Sequence, residues 1–134
     1  MICIENELFT TIATALRESY DGIFVVGEYV PAPERFPAVS IIEMDNIAYR
    51  RTQDSATTEN DVDVMYEVDV YSNRDRGKKA ECRGIMATID NLFMGLGFTR
   101  VFLSPVTNPN DARIYRMTGR YRAVVSKENV IYRR

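Results

Sequence analysis

The chain has no histidine among its 134 residues, and that absence removes Ser-His and Cys-His nucleophile pairs together with every histidine metal site. Its two cysteines, Cys3 and Cys82, sit in apolar helical patterns without CxxC spacing, so both read as buried free thiols. Neither GxxxxGK[ST] nor GxGxxG occurs, so no phosphate-cradling loop and no cofactor is expected. With no catalytic constellation left, the expectation is a protein that is not an enzyme. No apolar run approaches the ~18 residues that a membrane-crossing helix requires. The start MICIENELF carries two acids where a secretory leader would be basic. A protein that stays in the cytoplasm where it is made is expected.

What is present is ordinary globular composition, 46% hydrophobic and 27% charged, in a length that suits one domain spanning 1–134 with a real core. The net charge of -2 hides an asymmetry. Residues 1–112 hold 10 Lys/Arg against 18 Asp/Glu, and residues 113–134 hold 7 against 1. An acidic body ends in a basic segment.

The organising stretch runs from Asp61 to Met94. In DVDVMYEVDVY, Val62, Val64, Tyr66, Val68 and Val70 alternate with Asp61, Asp63, Met65, Glu67 and Asp69, the period of a half-buried strand. After Ser72-Asn73-Arg74-Asp75, apolar positions recur at Cys82, Ile85, Met86, Ile89, Leu92 and Phe93, the period of an amphipathic helix from about Arg76 to Met94. At ~3.3 Å per strand residue and ~1.5 Å per helix residue the two match in length, so the helix suits the valine face.

Before this unit, Ile4 to Ser19 reads as a helix with Leu8, Ile12 and Leu16 on one stripe, ending before Asp21-Gly22. Ile23 to Val30 reads as a strand stopped by Pro31, Pro33 and Pro37. Ala38 to Arg50 reads as a strand apolar on both faces, through Val39 and Ile41 on one side and Ile42 and Met44 on the other. Such a strand is interior or meets another subunit. The polar stretch from Arg51 to Asn60 reads as a long mobile hairpin loop. After the long helix, Gly95-Leu96-Gly97-Phe98 supplies a left-handed cap, Thr99 to Leu103 a short strand, and Ser104 to Asp111 a turn. The last long strand sets Tyr115, Met117, Tyr121, Ala123 and Val125 against Arg116, Thr118, Arg120, Arg122 and Val124. Gly119 in the apolar parity marks a bulge or a close backbone approach. The tail SKENVIYRR reads as loosely held.

The order helix-strand-strand-strand-helix-strand-strand implies an α+β fold: a mixed or antiparallel sheet of about four to five strands with both helices on one face. The other face presents Asp61, Asp63, Glu67 and Asp69 from one strand and Arg116, Arg120 and Arg122 from another. If the strands are neighbours the charges pair within a subunit; if not, they form two patches that meet those of a neighbour. The acids lack EF-hand spacing and read as a sheet face, not a metal site.

The segments YEVDVYSN, GKKAECR, IDNLFMGLGFTR and IYRMTGRYRAVV, over roughly residues 4–126, resemble the tail terminator and head-tail joining (tail completion) proteins of long-tailed bacteriophages and prophages. The resemblance implies a structural virion protein, made in the bacterial cytoplasm and placed at the head-tail interface. It forms a ring, often hexameric, that caps the tail tube and docks to the head connector, and the subunit can be monomeric before assembly. On that reading Asp63, Glu67, Asp69, Arg116, Arg120 and Arg122 are candidate subunit or partner contacts, the arginines of one subunit meeting the acids of the next. Arg51, Asp54, Glu59 and Asp61 belong to a loop that lines a passage where DNA slides without specific binding. A second reading makes the chain a small nucleic-acid-binding module, with Arg113, Arg116, Arg120, Arg122, Arg133 and Arg134 on phosphates and Tyr115 and Tyr121 stacking on bases. Parity opposes it, because the two tyrosines share the face opposite Arg116, Arg120 and Arg122.

Overall fold

The computed structural model describes residues 1–30, 32–48, 61–106 and 113–132. The first helix, α1 (Glu5–Ser19), buries Leu8, Ile12, Ala13 and Leu16, and carries Glu5 and Glu7 at its positive end and Arg17 at its negative end. A three-residue strand β1 (Phe24–Val26) follows, then β2 (Ala38–Ala48), β3 (Asp61–Ser72), helix α2 (Lys78–Gly95), β4 (Thr99–Val106), β5 (Tyr115–Ser126) and β6 (Ile131–Tyr132). The sheet order is β1-β2-β3-β5-β4, with β6 also pairing β5. Among the described residues only β1 and β2 run parallel. The fold is α+β with a mixed six-stranded sheet, slightly larger than the four to five strands expected.

The valine face of β3 is the floor of the core. Val62, Val64, Tyr66, Val68 and Val70 are buried beside Val39 and Ile41 of β2 and Met117, Tyr121, Ala123 and Val125 of β5. Both helices lie on this side: α2 packs on β3, β4 and β5, and α1 packs on β2 and on α2. Four rings knit the layers together. Phe93 of α2 stacks on Tyr121 with centroids 4.3 Å apart and meets Phe98 edge-on at 5.1 Å, while Tyr66 lies edge-on to Phe98 at 5.8 Å.

The end of α2 explains how Phe98 arrives there. Phe98 N–H donates to the Phe93 carbonyl at 3.0 Å and Gly97 N–H to that of Met94 at 3.1 Å, with Gly97 at φ 101°. This paired capping pattern folds the apolar residue after the glycine back onto the helix. Gly119 does not mark a bulge. It pairs regularly with Val68, and a Cβ there would sit 3.3 Å from Met86 Sδ and from the Tyr121 ring, so helix and strand approach closely at that point.

Several expected boundaries move. β1 keeps three of the eight residues from Ile23 to Val30, because Gly27 begins a departure in which the Glu28 carbonyl accepts from Ser40 Oγ at 3.0 Å. β4 runs past Leu103 into the expected turn, pairing Ser104, Pro105 and Val106 with Thr118, Met117 and Arg116. A proline is tolerated because β4 is an edge strand and one side of it needs no donor. Through Tyr132 the tail is held in place: Ser126 N–H donates to the Val130 carbonyl at 2.9 Å, Asn129 turns at φ 63°, and Ile131 and Tyr132 pair with Val125 and Val124. The expected loop from Arg51 to Asn60 lies outside the described residues.

The two cysteines part company. Both are free, but Cys3 is exposed where a buried thiol was expected, because it precedes the helix while Ile2 and Ile4 turn inward. Burial, and then the neighbouring Glu81, push the Cys82 thiol up to about 12. A thiol reagent at neutral pH should therefore label Cys3 alone in the folded protein, with Cys82 reacting only on unfolding. Two fast-reacting thiols in the native state would contradict this burial.

Candidate assembly surface

Opposite the helices, the sheet has a second face, buried at Ser40, Asp69, Tyr71 and Thr118 and more open elsewhere, whose chemistry follows from register. β3 and β5 are antiparallel neighbours, with Glu67 opposite Arg120, Asp69 opposite Thr118 and Asp63 opposite Val124. Arg120 Nε therefore donates straight across to Glu67 at 3.1 Å. Arg116 Nε reaches diagonally to Asp69 at 3.1 Å, and Arg122 Nε lies 3.7 Å from Asp63. The six expected interface residues thus form one ladder of ion pairs within a single chain. Two separate patches held in reserve for a neighbouring subunit are not what the register produces, because β5 inserts beside β3 and each arginine finds its acid there.

The rungs differ in burial, and the one at Asp69 is the deepest. Asp69 is fully buried and its Oδ1 accepts from both Arg116 and Thr118 Oγ1. Burial works against the charge on Arg116, but the hydrogen bond and charge of Asp69 outweigh it and raise its pKa. The same guanidinium lies 5.7 Å from the Tyr71 ring centroid and 6.0 Å from that of Tyr29. Farther along, Arg120 stands 5.1 Å over the ring of Phe102 from β4. Asp61 opens β3 opposite Ser126, and Arg51, Asp54 and Glu59 lie outside the described residues.

Neither a protein-family model nor a curated protein matches the chain.

The nucleic-acid reading loses its platform. Tyr121 is fully buried with its hydroxyl donating to Asp90 Oδ1 at 3.0 Å, and Tyr115 is half-buried on the core side. Neither ring is placed to stack on a base beside the arginines. Arg113 helps line a cavity of about 330 Å³ with Arg74 and Lys78, away from the ladder, while Arg133 and Arg134 lie outside the described residues. Among the described residues no group of three His, Cys, Asp or Glu is placed to hold a metal ion. No described helix is long and apolar enough to cross a membrane.

Periodicity did not single out the exposed apolar side chains at the two ends of the sheet. Val101, Phe102 and Leu103 of β4 are 48%, 40% and 39% exposed. At the other end Met44 and Ile47 of β2 are 43% and 56% exposed. β2 is interior over Ala38–Ser40, where β1 covers it; beyond that point no second strand pairs with it among the described residues, and Glu43 N–H donates to Glu5 Oε2 at 3.2 Å. The run Val101-Phe102-Leu103 has no alternation, and only strand order reveals that it lies on an edge.

Proposed function

We propose that the chain is a structural assembly subunit of the tail terminator or head-tail joining type, working by protein contacts in a ring and not by catalysis. The observation that carries this reading is the pair of exposed apolar ends on one open sheet. Long apolar sheet edges are an aggregation liability that monomeric proteins blunt with charges or cover with other elements. Here Val101, Phe102, Leu103, Met44 and Ile47 keep exposed apolar side chains beside Pro105, Asp45 and a register shift in each of the two strands, and a contact between unlike ends of identical subunits generates rings. In this reading the arginine-acid ladder stiffens the sheet, each of the three arginines facing an acid of its own chain. The partners are other copies of the chain, the tail tube protein and the head connector.

The deciding experiment is the mass of the purified protein in solution, followed by electron microscopy of tail tubes capped with it and a count of subunits per ring. A single copy at the tube end would overturn the proposal. The same protein titrated with DNA and RNA at low and moderate salt should show no tight, salt-sensitive binding, since Arg116, Arg120 and Arg122 each already face a carboxylate. Tight binding abolished by Arg120→Glu with Arg122→Glu would favour a nucleic-acid module.

A further inference from the structure

The two helices do not roof the sheet to its end. Packed helices lie about 8–10 Å apart and paired strands about 4.8 Å, so one helix covers roughly two strands. α1 packs on β2, and α2 packs mainly on β3 and β5, so β4 is covered only in part. Near its start, Arg100 Nη1 donates to Asp90 Oδ1 of α2 at 3.2 Å. Farther along, Leu103 and Pro105 lie opposite Gly119 and Met117 and so share the helix-side parity, yet both are exposed. An inward parity left exposed marks a place for one more element.

The gap between α2 and β4 is a groove of about 420 Å³. Buried Met86 and Met117 lie at its base, Leu103 and Pro105 line the strand side, and Arg83 and Ala87 line the helix side. Methionines are unbranched and soft, so this base adapts to the side chain that enters. The charge is one-sided. Asp90 is the only acid among the described lining residues, and its Oδ1 already accepts from Arg100 and from the Tyr121 hydroxyl. Arg83 and, one turn before it on α2, Lys79 are exposed and have no ion-pair partner among the described residues. The groove is therefore apolar at its base with spare cations on its rim.

The β4 backbone decides which shape of partner fits. Pro105 offers no N–H, and the ladder with β5 shifts register between Arg100 and Phe102, so an added strand meets no continuous row of partners. A helix satisfies its own backbone and needs only an apolar stripe to bury.

We propose that this groove receives an acidic amphipathic helix of a partner protein, which lies beside α2 over β4 as the third helix of the layer. Its apolar stripe meets Met86, Leu103 and Met117, and carboxylates on its flank meet Arg83 and Lys79. The contact is made by a single subunit and goes beyond the ring reading, so each is decided by its own measurement.

The probe is a displayed library of helical peptides of about 18 residues, randomised along one face and selected against the full-length protein. Recovered peptides should carry apolar residues at i, i+3 or i+4, and i+7, with Asp or Glu beside the stripe. A synthetic peptide of a recovered sequence should shift the amide resonances of Arg83, Met86, Ala87 and Leu103. Leu103→Lys should weaken its binding at least about tenfold, and Arg83→Glu about threefold to tenfold. Both positions are exposed, so circular dichroism of the variants should match the wild type. Exchanging the peptide's acids for lysines should weaken binding to the wild type and restore binding to Arg83→Glu, a rescue that a merely structural effect of the substitution would not produce. Recovery of no helix overturns the proposal, as does recovery without acidic bias, resonance shifts centred elsewhere, or full affinity for Leu103→Lys. A chain that forms rings on tail tubes yet binds no such helix loses this inference alone. One that binds the helix but stands as a lone copy on the tube loses only the ring reading.

Discussion

Replacing Asp69 with alanine is expected to cost about 3–5 kcal/mol of stability, the range found when one partner of a buried ion pair is removed. The carboxylate is fully buried, and its loss strands the Arg116 guanidinium, whose side chain is 14% exposed, together with the Thr118 hydroxyl. The middle rung of the ladder should behave differently. Arg120 is 40% exposed, so Glu67→Ala should cost no more than about 1 kcal/mol. The contrast tests the gradient of burial along the strand pair, because the two acids sit on one strand, two residues apart, with the same kind of partner. Replacing Asp69, Arg116 and Thr118 together by Val, Met and Val should recover much of the loss, since an apolar set of similar shape leaves nothing unsatisfied. Urea unfolding midpoints measure all three. Equal, small losses for Asp69→Ala and Glu67→Ala would mean that water reaches Asp69 in solution. Because Asp69 acts through stability, an assembly defect in its variants says nothing about an interface.

How far the chain could be read in advance depends on whether a segment's two faces meet different environments. β3 was legible nearly to the residue, because its valines meet the helix layer and its acids meet arginines, and that difference is written as strict alternation. α2 and its cap were legible for the same kind of reason: one stripe faces the core, and Gly97 turns the chain so that Phe98 returns to Phe93. β6 was not, since two residues carry no period and their pairing depends on the turn through Asn129. Strand order was not legible either. Asp69 and Thr118 lie 49 positions apart, and nothing local to either announces that β5 inserts between β3 and β4. That one non-local fact turns the acidic and basic faces into internal pairs. It also moves the unmet surface to Phe102 and Ile47, residues that a local pattern treats as ordinary strand members.

Raising the pH should unfold the protein cooperatively above about 10, before the buried phenols ionise in the native state. Burial is the first cause holding the pKa values of Tyr66, Tyr71 and Tyr121 above the ordinary phenol value, and neighbouring carboxylates add to it: Glu43 for Tyr66, Asp69 for Tyr71 and Asp90 for Tyr121. Tyr71 is pushed up to about 12, and the Cys82 thiol likewise. The unfolded chain sheds these protons near the ordinary values while the folded chain keeps them, so stability is full below about pH 9 and falls as pH rises. Each group removes ~1.4 kcal/mol per pH unit above its unfolded value. Three phenols and a thiol together approach on the order of 10 kcal/mol by about pH 11.5, as much as a domain of this size commonly has. Phenolate absorbance of the buried three should accordingly rise in one step, coincident with loss of circular dichroism. Tyr71→Phe sharpens the test. Its hydroxyl has no hydrogen-bond partner among the described residues, so its removal should leave stability at pH 7 nearly unchanged and move the alkaline midpoint upward. Titration of Tyr66, Tyr71 and Tyr121 near pH 10 with the fold intact would show that these hydroxyls are open to water in solution.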